Sequence, residues 1–469
     1  MSRFNTARHS REGGNPATLL ARRISHQRHW VPAFAGMTVR GLVVSLLTAG
    51  ALLSTNATAQ DVLIRNATVH TATARGTLQN ADVLVRDGRI AAVGSGLAAG
   101  NAQVIDAQGK PLTPALFGGI SEIGLEEVSA EDATTDGTLA LGLTDKDMVV
   151  RPEFDVTLAY NPESVLLPVA RVEGIGFTLL GAIPAPGGSI IGGQGAVIRL
   201  DGSADPFGPK VLFVELGGNS AATLTGSSRA AQWMLLDQLI DEIRGRIPPA
   251  SDLALLTPSG RSVLARYIGG GGRVVVGVHR AADIRQLLRW SQRHDVRIAI
   301  AGGSEAWKLA PQLAAAKVPV FVNPLANLPA DFDQLGATME NAARLRAAGV
   351  EVGFTLGDSH NARKMRQLAG NAVANGLPWE DGLAGLTRVP AEAFGVGDRL
   401  GGIAPGKLAD LVLWSGDPLE VNTVAQQVWL GGKAMPMRSR QTELRDRYLR
   451  SDATREGGGL PRAYPAAVR

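Results

Sequence analysis

Apolar and polar residues alternate in two short stretches, one near each end of the chain. The first covers residues 62–93 and carries Asp87-Gly88 between two apolar runs, which is a strong β-hairpin signal. The second covers residues 409–433 and is interrupted by Gly416-Asp417-Pro418. Neither stretch has enough strands for a core of its own. We therefore expect both to share one small composite β-sandwich.

Between these ends, short runs rich in β-branched residues alternate with segments of helical periodicity. The apolar runs are 174–180, 211–216, 273–278, 297–300, 318–322 and 349–355. The helical segments are 229–244, 281–293, 304–316, 339–348 and 362–375. This alternation is typical of a parallel α/β sheet, and its length suits a (β/α)8 TIM-like barrel. In such a barrel the chemistry lies at the C-terminal ends of the strands.

These patterns divide the chain into four parts. We expect a leader at 1–59, the composite β-sandwich at 60–112 and 401–436, the barrel at 113–400, and a tail at 437–469 that begins as a charged helix and ends as a mobile segment. The Gly-rich segment 186–195 has neither the lysine of a P-loop nor the spacing of a dinucleotide fingerprint. It predicts a tight loop near the barrel mouth rather than a phosphate cradle.

The leader has the layout of a secretory signal peptide. Residues 1–59 hold seven Arg and one Glu, so their net charge is +6. Arg40 precedes a mostly apolar run, Leu42 to Leu53, and Ala57-Thr58-Ala59 fits a cleavage site. The run is shorter than the ~20 residues of a spanning helix. We expect cleavage near Ala59, no stable membrane span afterwards, and a periplasmic or secreted bacterial protein. Met37 is the expected true start, so 1–36 precede the signal peptide at 37–59.

Composition and charge exclude several classes of protein. The 469 residues include no Cys, which excludes disulfides, cysteine-ligated zinc, iron–sulfur clusters and a thiol nucleophile. The formal charge of +4 becomes −2 once the +6 leader is removed, so a nucleic-acid partner is not expected. A small-molecule substrate or ligand is expected instead, and homo-oligomer formation stays open.

Three segments resemble the amidohydrolase superfamily, especially its imidazolonepropionase-like branch. Residues 400–419, LGGIAPGKLADLVLWSGDPL, match the family's return into the β-sandwich. Residues 85–94 and 105–114, VRDGRIAAVG and IDAQGKPLTP, resemble the entry into barrel strand 1. Residues 356–359, LGDS, resemble the segment that ends strand 8. The resemblance implies the barrel-plus-sandwich fold and hydrolysis of carbon–nitrogen bonds other than peptide bonds.

Typical members of this family hold one or two metals, commonly zinc, at the barrel mouth. Their ligands are a His-x-His on strand 1, His on strands 5 and 6, an Asp on strand 8 and often a carboxylated Lys on strand 4. Aligned with that pattern, this chain places other residues at the metal positions: Ile120, Glu122, Gly277 and Gly302. No Lys stands in the 211–216 strand, and only Asp358 matches. The standard metal ligands are therefore missing.

The polar residues that remain near predicted strand ends are the candidate site. Asp358, His360 and His279 are the candidate catalytic residues, and a metal-free acid/base pair among them is one interpretation. Glu122, Ser121 and Ser359 are the candidate substrate-pocket residues. No cofactor is assigned. The alternative is zinc or another divalent metal held by Glu122, His279, Asp358 and His360.

Two functions follow from these residues. The first is an exported hydrolase of carbon–nitrogen bonds, acting on a cyclic amide or a dipeptide-like substrate. The second is a catalytically inactive pseudoenzyme that serves as a periplasmic binding or interaction module. The missing ligands favour the second, and the resemblance favours the first.

The leader generates a direct prediction. When the full chain is expressed in a bacterium that exports proteins, the mature product is expected to begin at Gln60, because Ala57-Thr58-Ala59 presents small residues to the peptidase. N-terminal sequencing of the periplasmic fraction checks this. A product that stays in the cytoplasm with its leader attached would contradict the signal peptide.

Overall fold

The protein is described by a computed structural model over residues 61–139, 150–184, 188–218, 228–356 and 359–449. The predicted leader and residues 450–469 of the tail lie outside the described residues. Residues Arg440–Leu449, at the start of the predicted tail, form a helix.

The described residues contain sixteen strands and ten α-helices. The strands are β1 (Val62–His70), β2 (Thr77–Arg86), β3 (Arg89–Gly94), β4 (Gln103–Asp106), β5 (Pro111–Pro114), β6 (Leu116–Ser121), β7 (Ile175–Leu180), β8 (Ile191–Arg199), β9 (Lys210–Glu215), β10 (Arg273–Val278), β11 (Arg297–Gly302), β12 (Val320–Val322), β13 (Val352–Phe354), β14 (Leu411–Trp414), β15 (Ala425–Leu430) and β16 (Lys433–Ala434). The helices are α1 (Leu166–Arg171), α2 (Arg229–Ile243), α3 (Pro258–Ala265), α4 (Ala281–His294), α5 (Ala310–Ala315), α6 (Asn341–Ala347), α7 (Met365–Ala374), α8 (Trp379–Gly385), α9 (Arg388–Ala393) and α10 (Arg440–Leu449). Four short 3-10 segments are Asp132–Thr134, Val156–Ala159, Ala306–Leu309 and Ser359–Lys364.

The first sheet joins both ends of the described chain, which confirms the predicted composite domain. Its strand order is β16-β15-β14-β5-β1-β2-β3, and β4 also pairs with β1. Asp87 and Gly88 both have positive φ, 48° and 74°, and they form the predicted turn between β2 and β3. A separate apolar core fills this domain, with Ile64, Val83 and Leu411 fully enclosed. The eight strands form one hydrogen-bonded sheet.

The second sheet is the predicted barrel, with strand order β13-β12-β11-β10-β9-β8-β7-β6. Seven strands run parallel to one another, but β8 runs antiparallel to both β7 and β9. Residues 191–195 of the Gly-rich segment belong to this strand, so the prediction of a loop there was wrong. Its glycines let backbones approach closely, since a Cβ at Gly192 would lie 3.0 Å from the carbonyl carbon of Ala182.

Side-chain hydrogen bonds join the first barrel strand to the segment after the last one. The backbone N–H of Ile120 donates to Thr355 Oγ1 at 3.2 Å, and that of Glu122 donates to Ser359 Oγ at 2.8 Å. These bonds hold the C-terminal ends of β6 and β13 side by side. The mouth of the barrel is therefore a nearly closed ring.

Aromatic rings fill part of the barrel core. Phe117 on β6 lies 5.3 Å from Phe177, 6.2 Å from Phe321 and 5.9 Å from Phe394, measured between ring centroids. Phe321 and Phe394 are stacked at 4.9 Å. All four side chains are fully buried. Close packing of this kind fixes strands β6, β7 and β12 around one another.

Trp414 connects the small sheet to the barrel. Its side chain is fully buried, and its Nε1 donates to Thr113 Oγ1 at 2.8 Å. Gly174, which precedes β7, has a φ of +88° and leaves room for the Trp414 ring, because a Cβ at this position would meet the ring atoms. The guanidinium of Arg366 lies over the Trp414 ring, with its central carbon 5.0 Å from the ring centroid.

The helices α2 and α3 begin at residues whose side chains cap the first turn. Ser228 caps α2, Thr257 caps α3 with Pro258 at its first position, and each side-chain oxygen accepts from a backbone N–H of the first turn. Across the described part of the chain, no helix combines the length and apolarity needed to cross a membrane.

Candidate active site

The candidate site lies where β6, β9, β10, β11 and β13 end, at the C-terminal side of the barrel. Glu215 is the last residue of β9, His279 follows β10, and Gly302 ends β11. Parallel strands in register bring these positions to the same rim.

Glu215 occupies the space beside a glycine on the neighbouring strand. Glu215 and Gly277 are direct partners in the β9–β10 register. A Cβ at Gly277 would collide with the carboxylate atoms of Glu215. The missing side chain at Gly277 therefore gives the Glu215 carboxylate its place at the mouth.

The surroundings of Glu215 favour its neutral form. Solvent reaches the side chain through the mouth, yet the protein around it removes much of the hydration that a charged carboxylate has in water. This burial raises the pKa of Glu215 to about 7. Near neutral pH the group therefore exists in both forms, which suits proton transfer.

His279 fills the space beside the second glycine. A Cβ at Gly302 would lie 2.5 Å from His279 Cε1 and 2.8 Å from Nε2. Gly302 also has a φ of +88°, a conformation that L side chains rarely adopt. The imidazole ring consequently lies over the backbone at the end of β11.

Hydrogen bonds orient the His279 ring. Its Nδ1 lies 2.8 Å from Ser304 Oγ, and the Ser304 hydroxyl donates to Gln334 Oε1 at 3.2 Å. Because the hydroxyl proton is committed to Gln334, Ser304 Oγ accepts the proton of His279 Nδ1–H. The lone pair is then on Nε2.

Burial lowers the pKa of His279, and the carboxylates of Asp331 and Asp333 oppose this effect only in part. A neutral imidazole is the form that can accept a proton. The surroundings at the mouth thus shift the pKa of Glu215 upward and that of His279 downward. These directions leave a carboxyl group that can donate a proton and an imidazole that can accept one near neutral pH.

Two buried carboxylates hold the segments around His279 in place. Glu305 accepts from the backbone N–H of Ala281 at 3.0 Å, from that of Gly336 at 2.9 Å and from Lys308 Nζ at 2.7 Å. These charge-assisted bonds lower the pKa of Glu305 despite the opposing effect of its burial.

Asp333 accepts from the backbone N–H of Gly218 at 2.6 Å and pairs with Arg229. It lies between β12 and α6, whereas Gly218 follows β9. The β12–α6 connection therefore reaches the β9 side of the mouth and carries Gln334 to Ser304.

The structure places the predicted pocket residues on β6 and beside it. Ser121 is buried and its Oγ lies 2.8 Å from Thr178 Oγ1. Glu122 and Ser359 are brought together by the bond described above, and the Glu122 carboxylate lies against Gly137. Burial first, and Glu126 second, raise the pKa of Glu122.

Of the predicted catalytic residues, the structure places His279 at the mouth and His360 on an exposed position. His360 belongs to the 3-10 segment Ser359–Lys364, and its Nε2 lies 3.5 Å from Asn361 Nδ2. Asp358 lies outside the described residues. Its assignment as a catalytic residue stays a prediction.

The donor set does not fit the metal centre that the family resemblance implies. Ile120, Gly277 and Gly302 have no side-chain ligand atoms, and the spaces beside the two glycines are taken by Glu215 and His279. Within the described ranges no three His, Cys, Asp or Glu side chains are grouped to hold a metal ion. The side chains at the mouth are therefore the candidate reactive groups.

Sequence reasoning missed Glu215, Ser304 and Gln334. A signal for Glu215 was available, since it is the one charged residue in the apolar run 211–216 and stands at the end of a strand. Ser304 and Gln334 are 30 residues apart and meet only in the folded protein. Their pairing has no local signal.

Comparisons with known proteins agree with this architecture. A solved amidohydrolase from Thermotoga maritima is 26% identical, with a TM-score of 0.69, and the match covers 80% of this chain and 100% of that chain. Residues 299–435 match the amidohydrolase family model. The class that these matches share is therefore the amidohydrolase architecture, a barrel joined to a composite sheet with the candidate site at the strand ends.

Two curated proteins match shorter segments. An imidazolonepropionase from Aromatoleum aromaticum is 42% identical over 95 residues, 19% of this chain and 23% of that protein. Amidohydrolase tasK from Hapsidospora irregularis is 42% identical over 74 residues, 16% of this chain and 8% of that protein. The matches span less than a quarter of either relative. The chain belongs to the amidohydrolase superfamily, as the sequence motifs predicted.

The raised pKa of Glu215 is directly measurable. In protein labelled with 13C at the Glu carboxyl carbons, one resonance is expected to titrate with a midpoint near pH 7 and to be missing from Glu215→Gln, because burial disfavours the charged form. If every Glu carboxyl titrates below about pH 5.5, close to the free side chain, the protein around Glu215 does not raise its pKa.

The Glu215 carboxyl also makes the free energy of unfolding depend on pH. Its folded pKa is raised, so its contribution is fully present below the unfolded value of about 4.3 and is lost as the pH rises through about 7. Chemical unfolding is expected to show the native protein losing stability relative to Glu215→Gln as the pH rises from about 4.5 to about 7. Parallel stability curves would contradict this.

Proposed function

We propose that this protein hydrolyses a carbon–nitrogen bond other than a peptide bond, in a cyclic amide or a dipeptide-like amide. The observation that carries the proposal is the pair of Glu215 and His279, whose pKa values are shifted in opposite directions within one barrel mouth. Membership of the amidohydrolase superfamily supports the reaction class. The substrate class rests on the same resemblance.

In the proposed reaction, His279 and Glu215 each transfer one proton. His279 Nε2 takes a proton from water while the water oxygen attacks the amide carbonyl carbon. The carbon–nitrogen bond then breaks, and protonated Glu215 gives its proton to the departing nitrogen. The products are a carboxylic acid and an amine. His279 releases its proton to solvent and Glu215 takes one back, so the site returns to its starting state.

Ser304 and Gln334 are positioning residues in this scheme. They hold the His279 tautomer in which Nδ1 is protonated, so that Nε2 is free to act as the base. Ser304 itself is buried and its hydroxyl proton is already donated. It is therefore not assigned as a nucleophile.

A second candidate function is a binding module without catalysis. The observation that favours it is the loss of ligand atoms at Ile120, Gly277 and Gly302. A vacated barrel mouth can still hold a small molecule through its polar rim. We also propose that either function is performed in the periplasm or outside the cell. The support for that location is the leader sequence alone.

Single substitutions separate the two functions. Glu215→Gln and His279→Gln keep the size of each side chain but remove its proton chemistry, so each is expected to lower kcat by about 10²- to 10⁴-fold. Gly277→Ala is expected to lower kcat at least tenfold, because the added methyl group displaces the Glu215 carboxylate. The measurement is amide hydrolysis over a panel of cyclic imides, lactams and N-acyl amino acids.

Two variants serve as controls. Glu443→Gln changes an exposed carboxylate on α10, and Gly94→Ala adds a methyl group in the small sheet, where the nearest atom would be 3.9 Å away. Both are expected to keep full turnover. Unchanged kcat in Glu215→Gln and His279→Gln would overturn the assigned pair. A folded wild-type protein that hydrolyses nothing in the panel would instead support the binding module.

A further inference from the structure

A cavity lies at the opposite end of the barrel from the candidate active site. It has a volume of about 350 Å³ and is formed where β10, β12 and β13 begin, next to α9. Its charged lining residues are Arg273, Lys317, Glu351 and Glu392. We call it the basal cavity. Nothing in the hydrolysis scheme uses it.

Arg273, the first residue of β10, carries a positive charge that the described protein does not neutralise. Its Nε donates to Ala393 O at 3.0 Å and its Nη1 to Ile298 O at 2.9 Å, and both acceptors are uncharged. Among the described residues, no carboxylate forms an ion pair with it. Burial, and then the neighbouring Arg297, lower the pKa of Arg273 to about 10. The guanidinium thus lies in surroundings that disfavour its charge.

The two carboxylates of the basal cavity are already engaged. Arg388 on α9 donates from Nη2 to Glu351 at 3.1 Å and from Nη1 to Glu392 at 2.8 Å. One guanidinium thus holds both acids on the α9 side. The Arg273 guanidinium is left without an acid of its own.

Lys317 adds a second cation at an unusual backbone position. It follows α5 in the left-handed conformation, with a φ of +52°. Glycine is favoured there, and Gly349 has that role after α6, on the same cavity. A lysine adopts this backbone conformation at a higher energetic cost than glycine does. What Lys317 adds at this position is its positive charge.

We propose that the basal cavity binds a small anion with a carboxylate or phosphate group, with Arg273 as its main partner and Lys317 as a second one. A guanidinium matches the planar carboxylate and the phosphate oxygens through paired hydrogen bonds. The volume suits a molecule of a few heavy atoms up to a small organic acid. The site is independent of the proposed hydrolysis, because it lies at the other end of the barrel.

The test uses inorganic phosphate and acetate as separate probes on the mature chain, with ionic strength held constant by sodium chloride. A specific site is expected to raise Tm in a saturable way with at least one probe, because a ligand that binds only the folded state stabilises it. Isothermal titration calorimetry then gives the Kd. A response to phosphate alone indicates a phosphate ligand, and a response to acetate indicates a carboxylate ligand.

Three variants connect the signal to the basal cavity. Arg273→Met is expected to weaken binding at least tenfold, and Lys317→Gln severalfold, whereas Lys433→Gln on the small sheet is expected to bind as the native protein does. If Arg273→Met fails to fold, since it also loses two backbone contacts, Lys317→Gln carries the test. The proposal is overturned if neither anion exceeds the chloride control, or if the Arg273 and Lys317 variants bind both anions unchanged.

Discussion

Two missing side chains, at Gly277 and Gly302, are the constraint on which the site depends. Strand register places each glycine beside a polar residue, Glu215 in one case and His279 in the other. Any larger residue at either position would occupy the space that the carboxylate or the imidazole now fills. The positions that lack the family's metal ligands are therefore not empty. They make room for Glu215 and His279, the two side chains that we propose as acid and base.

One physical environment then acts on both groups in opposite directions. Loss of hydration disfavours a charged carboxylate and a charged imidazolium alike. It raises the pKa of Glu215 to about 7 and lowers that of His279. Near neutral pH the protonated acid and the neutral base coexist. This is the combination that amide hydrolysis requires from two side chains acting in turn.

The sequence was sufficient for the fold but not for the whole site. Alternating apolar runs and the 400–419 motif predicted the barrel and the shared sheet, because burial imposes a regular spacing of apolar residues that can be read from the sequence. The strand β8 escaped notice because its glycines are typical of turns, and only pairing with β7 and β9 shows that they serve close backbone contact.

The candidate site shows the same limit. His279 was found from its place after a strand, whereas Glu215 was treated as part of a buried strand. Its role became visible only through register with Gly277, a contact between residues 62 positions apart. The orientation of His279 likewise depends on Ser304 and Gln334, which three different segments bring together. Long-range pairing of this kind has no signature in local composition.

The most direct test of the account is the pH dependence of amide hydrolysis by protein from which bound metal has been stripped with a chelator. Catalysis by Glu215 and His279 predicts turnover without added metal and a narrow bell-shaped pH profile. The acidic limb lies below pH 6.5, where His279 becomes protonated, and the basic limb lies near pH 7, where Glu215 loses its proton. Turnover that disappears on chelation and returns with zinc would contradict it.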